Sequence, residues 1–204
     1  SSDVTIDLMG FSLTCTYEHG VYLFSGIRSS GEFENIEIRN GTIRGFTGSG
    51  VFFDNFGNSN SKGCRIVNIT TCHNGTHGIN LDGHSNIVKD CTSFSNVHTG
   101  IAPGNSAIVT GNTCYGNMHG IMASDSTITG NSSYGNRDYG IGGYDGSTIV
   151  GNTCYKNEGT GIFTGYGCTI QGNTCRENTG NGITARPGST VIGNTCYKNT
   201  SYGI

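Results

Sequence analysis

Carboxylates and imidazoles are concentrated in one stretch of this sequence. Five of its six histidines lie between residues 73 and 119, and Asp54 and Asp82 end two segments of similar pattern, residues 50–54 and 78–82. If the two segments lie side by side, their carboxylates can serve as acid and base in the hydrolysis of a glycosidic bond. They can also bind Ca²⁺ together with a sugar carboxylate, or one can keep its proton and donate a hydrogen bond to that carboxylate.

Histidines near these carboxylates are candidate proton acceptors, because an imidazole can take a proton from carbon at neutral pH. The sequence therefore predicts five catalytic residues, which are Asp54, Asp82, His84, His77 and His98. Asp54 and Asp82 are also candidate calcium ligands, and no motif indicates another cofactor. Two other interpretations stay open: the aspartates only close turns, or the histidines converge on a transition metal.

Several residues could hold a polymer next to these groups. Asn80 falls on the same strand face as Asp82, and the positive charges of Arg44 and Lys62 would attract an acidic polymer. Aromatic residues recur at one position downstream, and sugar rings can stack on exposed aromatic faces. The predicted row is Tyr115, Tyr134 and Tyr155. Stacking of the rings on one another would explain the same row without a ligand.

A repeat of about 21 residues must position all of these side chains. Its first signature is an aliphatic residue shortly after a small one, at Ile66, Ile87, Ile108, Ile128, Ile149, Ile170 and Val191. A Gly-Ile pair recurs seven times from Gly78-Ile79 to Gly203-Ile204. Asparagines recur in two series, Asn74, Asn96, Asn117, Asn136, Asn157, Asn178 and Asn199, and Asn112, Asn131, Asn152, Asn173 and Asn194.

This period is too short for helical repeats and suits three short strands joined by tight turns. We therefore predict an all-β fold, a right-handed parallel β-helix with the aliphatic residues inside and the asparagines in inward ladders. It forms a single domain over residues 1–204, with irregular longer coils over 1–63 and seven regular coils over 64–204. Inserted loops are expected at residues 25–34 and 55–63. Asp54 and Asp82 would then lie on adjacent coils.

Composition excludes several classes of protein. The chain has 204 residues with 35 Gly, 2 Pro, no Trp and a net charge of −3. The absence of a basic cluster argues against a nucleic-acid partner, and no apolar run is long enough for a membrane span. Because the sequence starts and stops within a coil, we expect a fragment that lacks one or both caps, or a homo-oligomer that stacks end to end.

The repeat unit at residues 147–157 resembles the NosD-type, carbohydrate-binding and sugar-hydrolase repeats of the pectate-lyase-like superfamily, over about residues 36–204. The aspartate pair is similar to one in mannuronan C5-epimerases, whose catalytic coils end successive strands in Asp. This resemblance implies that Asp54 and Asp82 are the matching acidic residues. The Tyr and His of that family's signature are replaced here by Val51 and Phe56.

Two functions follow from these observations. The first is a secreted, cell-surface or virion-surface β-helix that binds a polysaccharide along its strands, with lyase, epimerase or hydrolase activity near Asp54, Asp82 and His84. The second is a non-catalytic structural or adhesive rod, such as a tailspike shaft, a surface protein or a filament subunit. The uniform carboxy-terminal half favours the rod, because a scaffold needs no break in its repeat.

Overall fold

Short strands separated by tight turns make up the fold, as the alternation of apolar and polar residues predicts. The computed structural model describes residues 2–15, 23–54 and 62–204, and these residues contain strands and no helix. Accordingly, the described part of the chain has no helix that could cross a membrane.

The strands form two sheets in which every pair of neighbours is parallel. The first sheet has 16 strands: β1 (Thr5–Asp7), β2 (Ser12–Thr14), β4 (Glu37–Arg44), β6 (Arg65–Cys72), β8 (Ile87–Lys89), β9 (Thr92–Phe94), β11 (Ile108–Thr110), β12 (Thr113–Tyr115), β14 (Thr127–Thr129), β15 (Ser132–Tyr134), β17 (Thr148–Val150), β18 (Thr153–Tyr155), β20 (Thr169–Gln171), β21 (Thr174–Arg176), β23 (Thr190–Ile192) and β24 (Thr195–Tyr197). The second sheet has 8 strands: β3 (Ile27–Ser30), β5 (Val51–Asp54), β7 (Ile79–Leu81), β10 (Thr99–Ala102), β13 (His119–Ala123), β16 (Ile141–Gly143), β19 (Ile162–Thr164) and β22 (Ile183–Thr184).

Each regular coil contributes one strand to the second sheet and two to the first, and the coils stack with a spacing of about 4.8 Å. The prediction of a parallel β-helix is confirmed. The core is one buried column per strand row, aliphatic in two rows and made of Ser93, Cys114, Ser133, Cys154 and Cys175 in the third. Along the second sheet the fully buried column is Ile79, Ile101, Ile121, Ile141, Ile162 and Ile183.

The predicted core column of the first sheet is wrong at two positions. Val88 and Val109 are fully buried and pair with Ile66 and Ile128, whereas Ile108 is 46% exposed. Ile87 is likewise displaced from the column. The cause is the turn before each strand. Ser85 and Ser106 adopt the left-handed conformation (φ 58° and 52°) that glycines take in later coils, so these strands begin one residue later than predicted.

The two asparagine ladders are confirmed. In the first, each side-chain amide donates to the Oδ1 of the asparagine on the next coil; Asn136 Nδ2 lies 2.9 Å from Asn157 Oδ1. The same Oδ1 accepts the backbone N–H of Asn136 at 3.1 Å. The second ladder repeats this geometry from Asn112 to Asn194. Buried turn amides therefore find partners without water.

The predicted inserts differ from the structure at one place. Residues 25–34 contain strand β3, which pairs with β5 in register from Ile27 and Val51 onward, so they are not a loop. Most of the other predicted insert, residues 55–61, lies outside the described residues. All nine cysteines are free thiols in the described structure, and seven of them are buried.

Candidate functional site

A groove of about 400 Å³ lies on the outer face of the second sheet, across β3, β5 and β7. Three outward side chains at one register position form its floor, namely Arg28, Phe52 and Asn80. His77 and His98 line its edge, from the turns that lead into β7 and β10. The alternation within β7 explains the placement, because Ile79 and Leu81 are fully buried and Asn80 between them faces outward.

An ion pair fixes the arginine of this groove. Arg28 Nη2 donates to Asp54 Oδ2 at 2.8 Å, and the aspartate side chain is only 5% exposed while that of Arg28 is 51% exposed. The guanidinium also lies 5.6 Å from the centroid of the Phe52 ring. A buried carboxylate with this partner is compensated in charge, and the contact engages one nitrogen, Nη2, of the guanidinium.

His77 provides a neutral imidazole at the groove edge. Its ring stacks on that of His98 with centroids 5.6 Å apart. Burial lowers the pKa of His77 below its ordinary value of 6.5, and the neighbouring His98 and His119 lower it further. Nδ1 of His77 is buried and has no hydrogen-bond partner among the described residues. The ring is therefore uncharged at pH 7 and able to accept a proton.

The aspartate pair has the predicted register but not a shared cavity. Phe53 pairs with Leu81, and the Asp82 backbone N–H donates to the Phe53 carbonyl at 2.9 Å, so Asp54 and Asp82 lie on adjacent coils. Asp82 lines a second depression of about 210 Å³, which shares only Asn80 with the groove. Calcium binding by the two aspartates stays a prediction; at Asp54 a cation would compete with Arg28.

His84, Lys62 and Arg44 lie away from the groove. His84 is in the turn after β7, where its Nδ1 is 3.1 Å from Ser85 Oγ. Lys62 pairs with Glu34 at 3.0 Å in the same row of turns. Arg44 ends β4 on the first sheet and contacts Thr14. The structure therefore brings His77, His98 and Asn80 together in the groove. His84, Lys62 and Arg44 lie apart from that group.

The tyrosine row does not expose its ring faces. Tyr115, Tyr134 and Tyr155 stack face to face with centroids 5.0 Å and 4.7 Å apart. Phe94 covers one end at 4.8 Å, and the Arg176 guanidinium covers the other at 4.3 Å. The rings therefore stack on one another, as the alternative without a ligand expects, and do not form a platform of exposed faces. Sugar binding by these three tyrosines stays a prediction. A sugar could meet only ring edges and hydroxyl groups here.

Sequence analysis missed Arg28, which the structure places at the centre of the groove. The signal was present: Gly26-Ile27 repeats the Gly-Ile pair of the later coils, and Gly26 donates its backbone N–H to Ser49 O as those glycines do in their coils. Extending that column two coils toward the amino terminus, through Gly50-Val51, would have placed Arg28 outward, two coils before Asn80.

Three solved structures share this architecture. The A-module of mannuronan C-5 epimerase AlgE4 from Azotobacter vinelandii superposes with a TM-score of 0.67 at 15% identity, over 84% of this chain and 63% of that one. A mutant of the periplasmic alginate epimerase AlgG gives 0.63 at 19% identity, over 84% and 47%. Pectate lyase Pel9A superposes with a TM-score of 0.57 at 11% identity, over 97% of this chain and 69% of that one.

At these identities the likeness establishes the fold alone, and the chain spans less than two thirds of either epimerase structure. No curated protein sequence matches the chain.

A family model described as "Periplasmic copper-binding protein (NosD)" matches residues 12–167. Copper would need several His, Cys, Asp or Glu side chains around one point. Within the described ranges no three such side chains are placed to hold a metal ion, and the rings of His77 and His98 stack on each other. The described residues thus do not fit a copper site. The match nevertheless covers most of the sequence, and the chain belongs to the NosD family.

Proposed function

We propose that this protein binds an acidic polysaccharide on the outer face of its second sheet, with a sugar carboxylate held by Arg28. The observation that carries the proposal is the groove itself, in which a half-exposed guanidinium stands beside two imidazoles and an amide. Arginine presents N–H groups in a planar fork that matches a carboxylate. The names of the structural neighbours, which refer to mannuronan, alginate and pectate, support the same class of ligand.

The ion pair with Asp54 prepares Arg28 for this role. One nitrogen is engaged by a buried carboxylate, so the side chain is held in one conformation before ligand binds. Holding it there reduces the entropy that binding would otherwise cost. The Phe52 ring, beneath the guanidinium, supports the arginine in this position. A protein with this ligand would act outside the cytoplasm, in the periplasm or at the cell or virion surface.

His77 favours a second function at the same place, proton abstraction from a uronate. With the substrate carboxylate held by Arg28, the negative charge that develops when the C5 proton leaves is stabilised. The neutral His77 imidazole takes that proton on its Nε2, because its Nδ1 is buried. This is the first step of a lyase, in which the C4–O bond then breaks, and of an epimerase, in which a proton then returns to the opposite face of C5. Glycoside hydrolysis fits less well, because Asp54 is bound by Arg28 and Asp82 faces another depression.

Substitution of Arg28 tests the proposal. We expect Arg28→Gln to weaken the binding of a uronate oligosaccharide by about tenfold or more, the loss of one charged hydrogen-bonding pair, as measured by isothermal titration calorimetry. Arg44→Gln on the first sheet is the matched control and should bind like the wild type.

Arg28→Gln also leaves the buried Asp54 carboxylate without its partner, which could destabilise the fold. Arg28→Lys keeps the charge and loses the fork, and we expect an intermediate affinity from it. If the wild type binds no acidic polysaccharide, or if all three variants bind equally, the proposal is wrong and a structural rod accounts better for the protein.

A further inference from the structure

We propose that Arg186 forms a second anion-binding subsite on the second sheet, so that the protein holds one acidic chain at two points, Arg28 and Arg186. This inference rests on the proposed function and adds to it the length of polymer that the protein requires. Arg186 follows β22, the last strand of the second sheet, and is exposed. The residue one repeat earlier is Gly165, so the coil itself does not require an arginine here.

Aromatic rings hold the Arg186 guanidinium, and no carboxylate neutralises it. Its Cζ lies 5.6 Å from the ring centroids of both Phe163 and Tyr166, and Nη1 lies 3.5 Å from the Tyr166 hydroxyl. Arg186 forms no ion pair with a carboxylate of the described residues. Asp145, one coil before Tyr166, instead accepts the Tyr166 backbone N–H at 2.7 Å. Unlike Arg28, Arg186 therefore offers an unpaired charge, supported by cation–π contacts, to an anionic ligand.

One row of outward residues connects the two arginines along the second sheet. In register, coil after coil, this track consists of Phe52, Asn80, Ala102, Met122, Gly142 and Phe163. None of these residues carries a charge. The Met122 side chain lies against Gly142 rather than standing upright from the sheet, because a Cβ on that glycine would be 2.5 Å from the Met122 sulfur. The track is therefore low and uncharged, and a polymer can lie on it along the axis of the β-helix.

Stacked rings border this track on one side. The ring of His119 stacks on that of Tyr139 with centroids 5.5 Å apart, and the Tyr139 ring stacks on that of Phe163 at 5.0 Å. These rings continue toward the last coils the edge that His77 and His98 give the groove. Ring edges beside a flat, uncharged row suit the C–H groups and hydroxyls of the sugar units that lie between the two carboxylate contacts.

The spacing of the two guanidinium groups sets the length of the ligand. One group lies 5.6 Å from the Phe52 ring and the other lies 5.6 Å from the Phe163 ring. Five coil steps, or about 24 Å, separate these two rings. An extended uronate chain advances by roughly the height of one coil per sugar unit, so about six units reach both groups. The second contact is then intramolecular, which raises the affinity above that of either contact alone.

Calorimetry with a uronate trisaccharide and a uronate octasaccharide tests the inference. We expect the wild type to bind the octasaccharide about tenfold or more tightly than the trisaccharide. Arg186→Gln should remove most of this difference and leave trisaccharide binding at Arg28 intact. Lys198→Gln is the matched control, because it removes an exposed positive charge that follows β24 of the first sheet, and it should keep the difference.

Arg186→Gln leaves no buried carboxylate without a partner, and thermal unfolding checks that the variant folds. The second subsite is overturned if the wild type binds both lengths equally, if Arg186→Gln keeps the difference, or if Lys198→Gln removes it as well. In each of these cases a loss of binding in Arg28→Gln still supports the proposed function. If Arg186→Gln abolishes binding of both lengths and Arg28→Gln of neither, two-point binding and the role proposed for Arg28 are both overturned. Binding of neither oligosaccharide also overturns both.

Discussion

Asn157 links the coils on both sides of its own. Its Nδ2 donates to Ser133 O at 3.1 Å and to Asn178 Oδ1 at 3.0 Å, and its Oδ1 accepts both the backbone N–H and the Nδ2 of Asn136. The side chain is fully buried. An apolar replacement cannot satisfy these groups, so the repeated asparagine is a requirement of the turn rather than a sign of ligand binding.

We expect Asn157→Leu to lower the free energy of unfolding by about 1–3 kcal/mol for each buried group left without a partner. Chemical denaturation measures the change. Asn105→Leu is the control, because Asn105 is exposed and its side chain makes no hydrogen bond among the described residues. Equal stability of the two variants would show that the ladder contributes little.

Histidines make stability depend on pH in a defined window. Burial lowers the pKa of both His77 and His119 below 6.5. The unfolded chain therefore binds more protons than the folded chain as the pH falls below 6.5, and the free energy of unfolding decreases over that range. The carboxylates Asp7 and Glu37, whose pKa values hydrogen bonds to their neighbours lower, lose their contributions only at more acidic pH.

We expect the wild type to lose stability between pH 7 and about pH 5, and His77→Gln to lose less over the same range. Urea denaturation at the two pH values measures both. His73→Gln, at an exposed histidine outside this column, is the control. A wild type whose unfolding midpoint does not change across this window would contradict the buried, neutral state of His77.

At the scale of strands, the repeat predicts which residues stack but not always their register. Ser85 and Ser106, before β8 and β11, look like the small residue that begins the repeat in other coils. They instead occupy the position of the left-handed glycine that precedes it, so both strands begin one residue later. Only the left-handed backbone at Ser85 and Ser106 reveals this, and sequence alone permits either register, because Asn86 and Ala107 are small as well.

This register has a direct consequence for stability. Val109→Ala should cost about 2 kcal/mol, since it removes two buried methyl groups and leaves a cavity. Ile108→Ala, at the neighbouring and 46% exposed position, should change stability by less than about 0.5 kcal/mol. Thermal or chemical unfolding of the two variants gives the comparison. A larger loss of unfolding free energy for Ile108→Ala than for Val109→Ala would support the register predicted from sequence instead.

The site was less predictable than the fold, for a physical reason. The ladder asparagines and the aliphatic core residues recur in every regular coil, so seven repeats of the sequence indicate the same buried positions. The Arg28–Asp54 pair occurs once, joins residues 26 positions apart and lies in the irregular first coils. Likewise, a tyrosine column is visible in the sequence, but whether its ring faces meet a ligand or each other depends on the 4.7–5.0 Å spacing of the stacked rings.

For the whole molecule, the proposed binding site lies on one sheet. The second sheet carries the Arg28 groove and the depression at Asp82, whereas stacked rings join the coils at both sheets, Tyr115 with Tyr134 at the first and Tyr139 with Phe163 at the second. The net charge of −3 does not itself attract an acidic polymer, and the charge of Arg28 is paired with Asp54, so the proposed binding must come from directed hydrogen bonds of the guanidinium. Such binding weakens as salt screens the exposed guanidinium.

The position of a bound oligosaccharide tests the central claim most directly. A crystal structure of the protein with a short uronate oligosaccharide should show a sugar carboxylate within hydrogen-bonding distance of the Arg28 guanidinium, next to His77 and Asn80 on the second sheet. An oligosaccharide bound instead along the tyrosine row of the first sheet, or none bound at a concentration that saturates the protein in solution, would contradict the account.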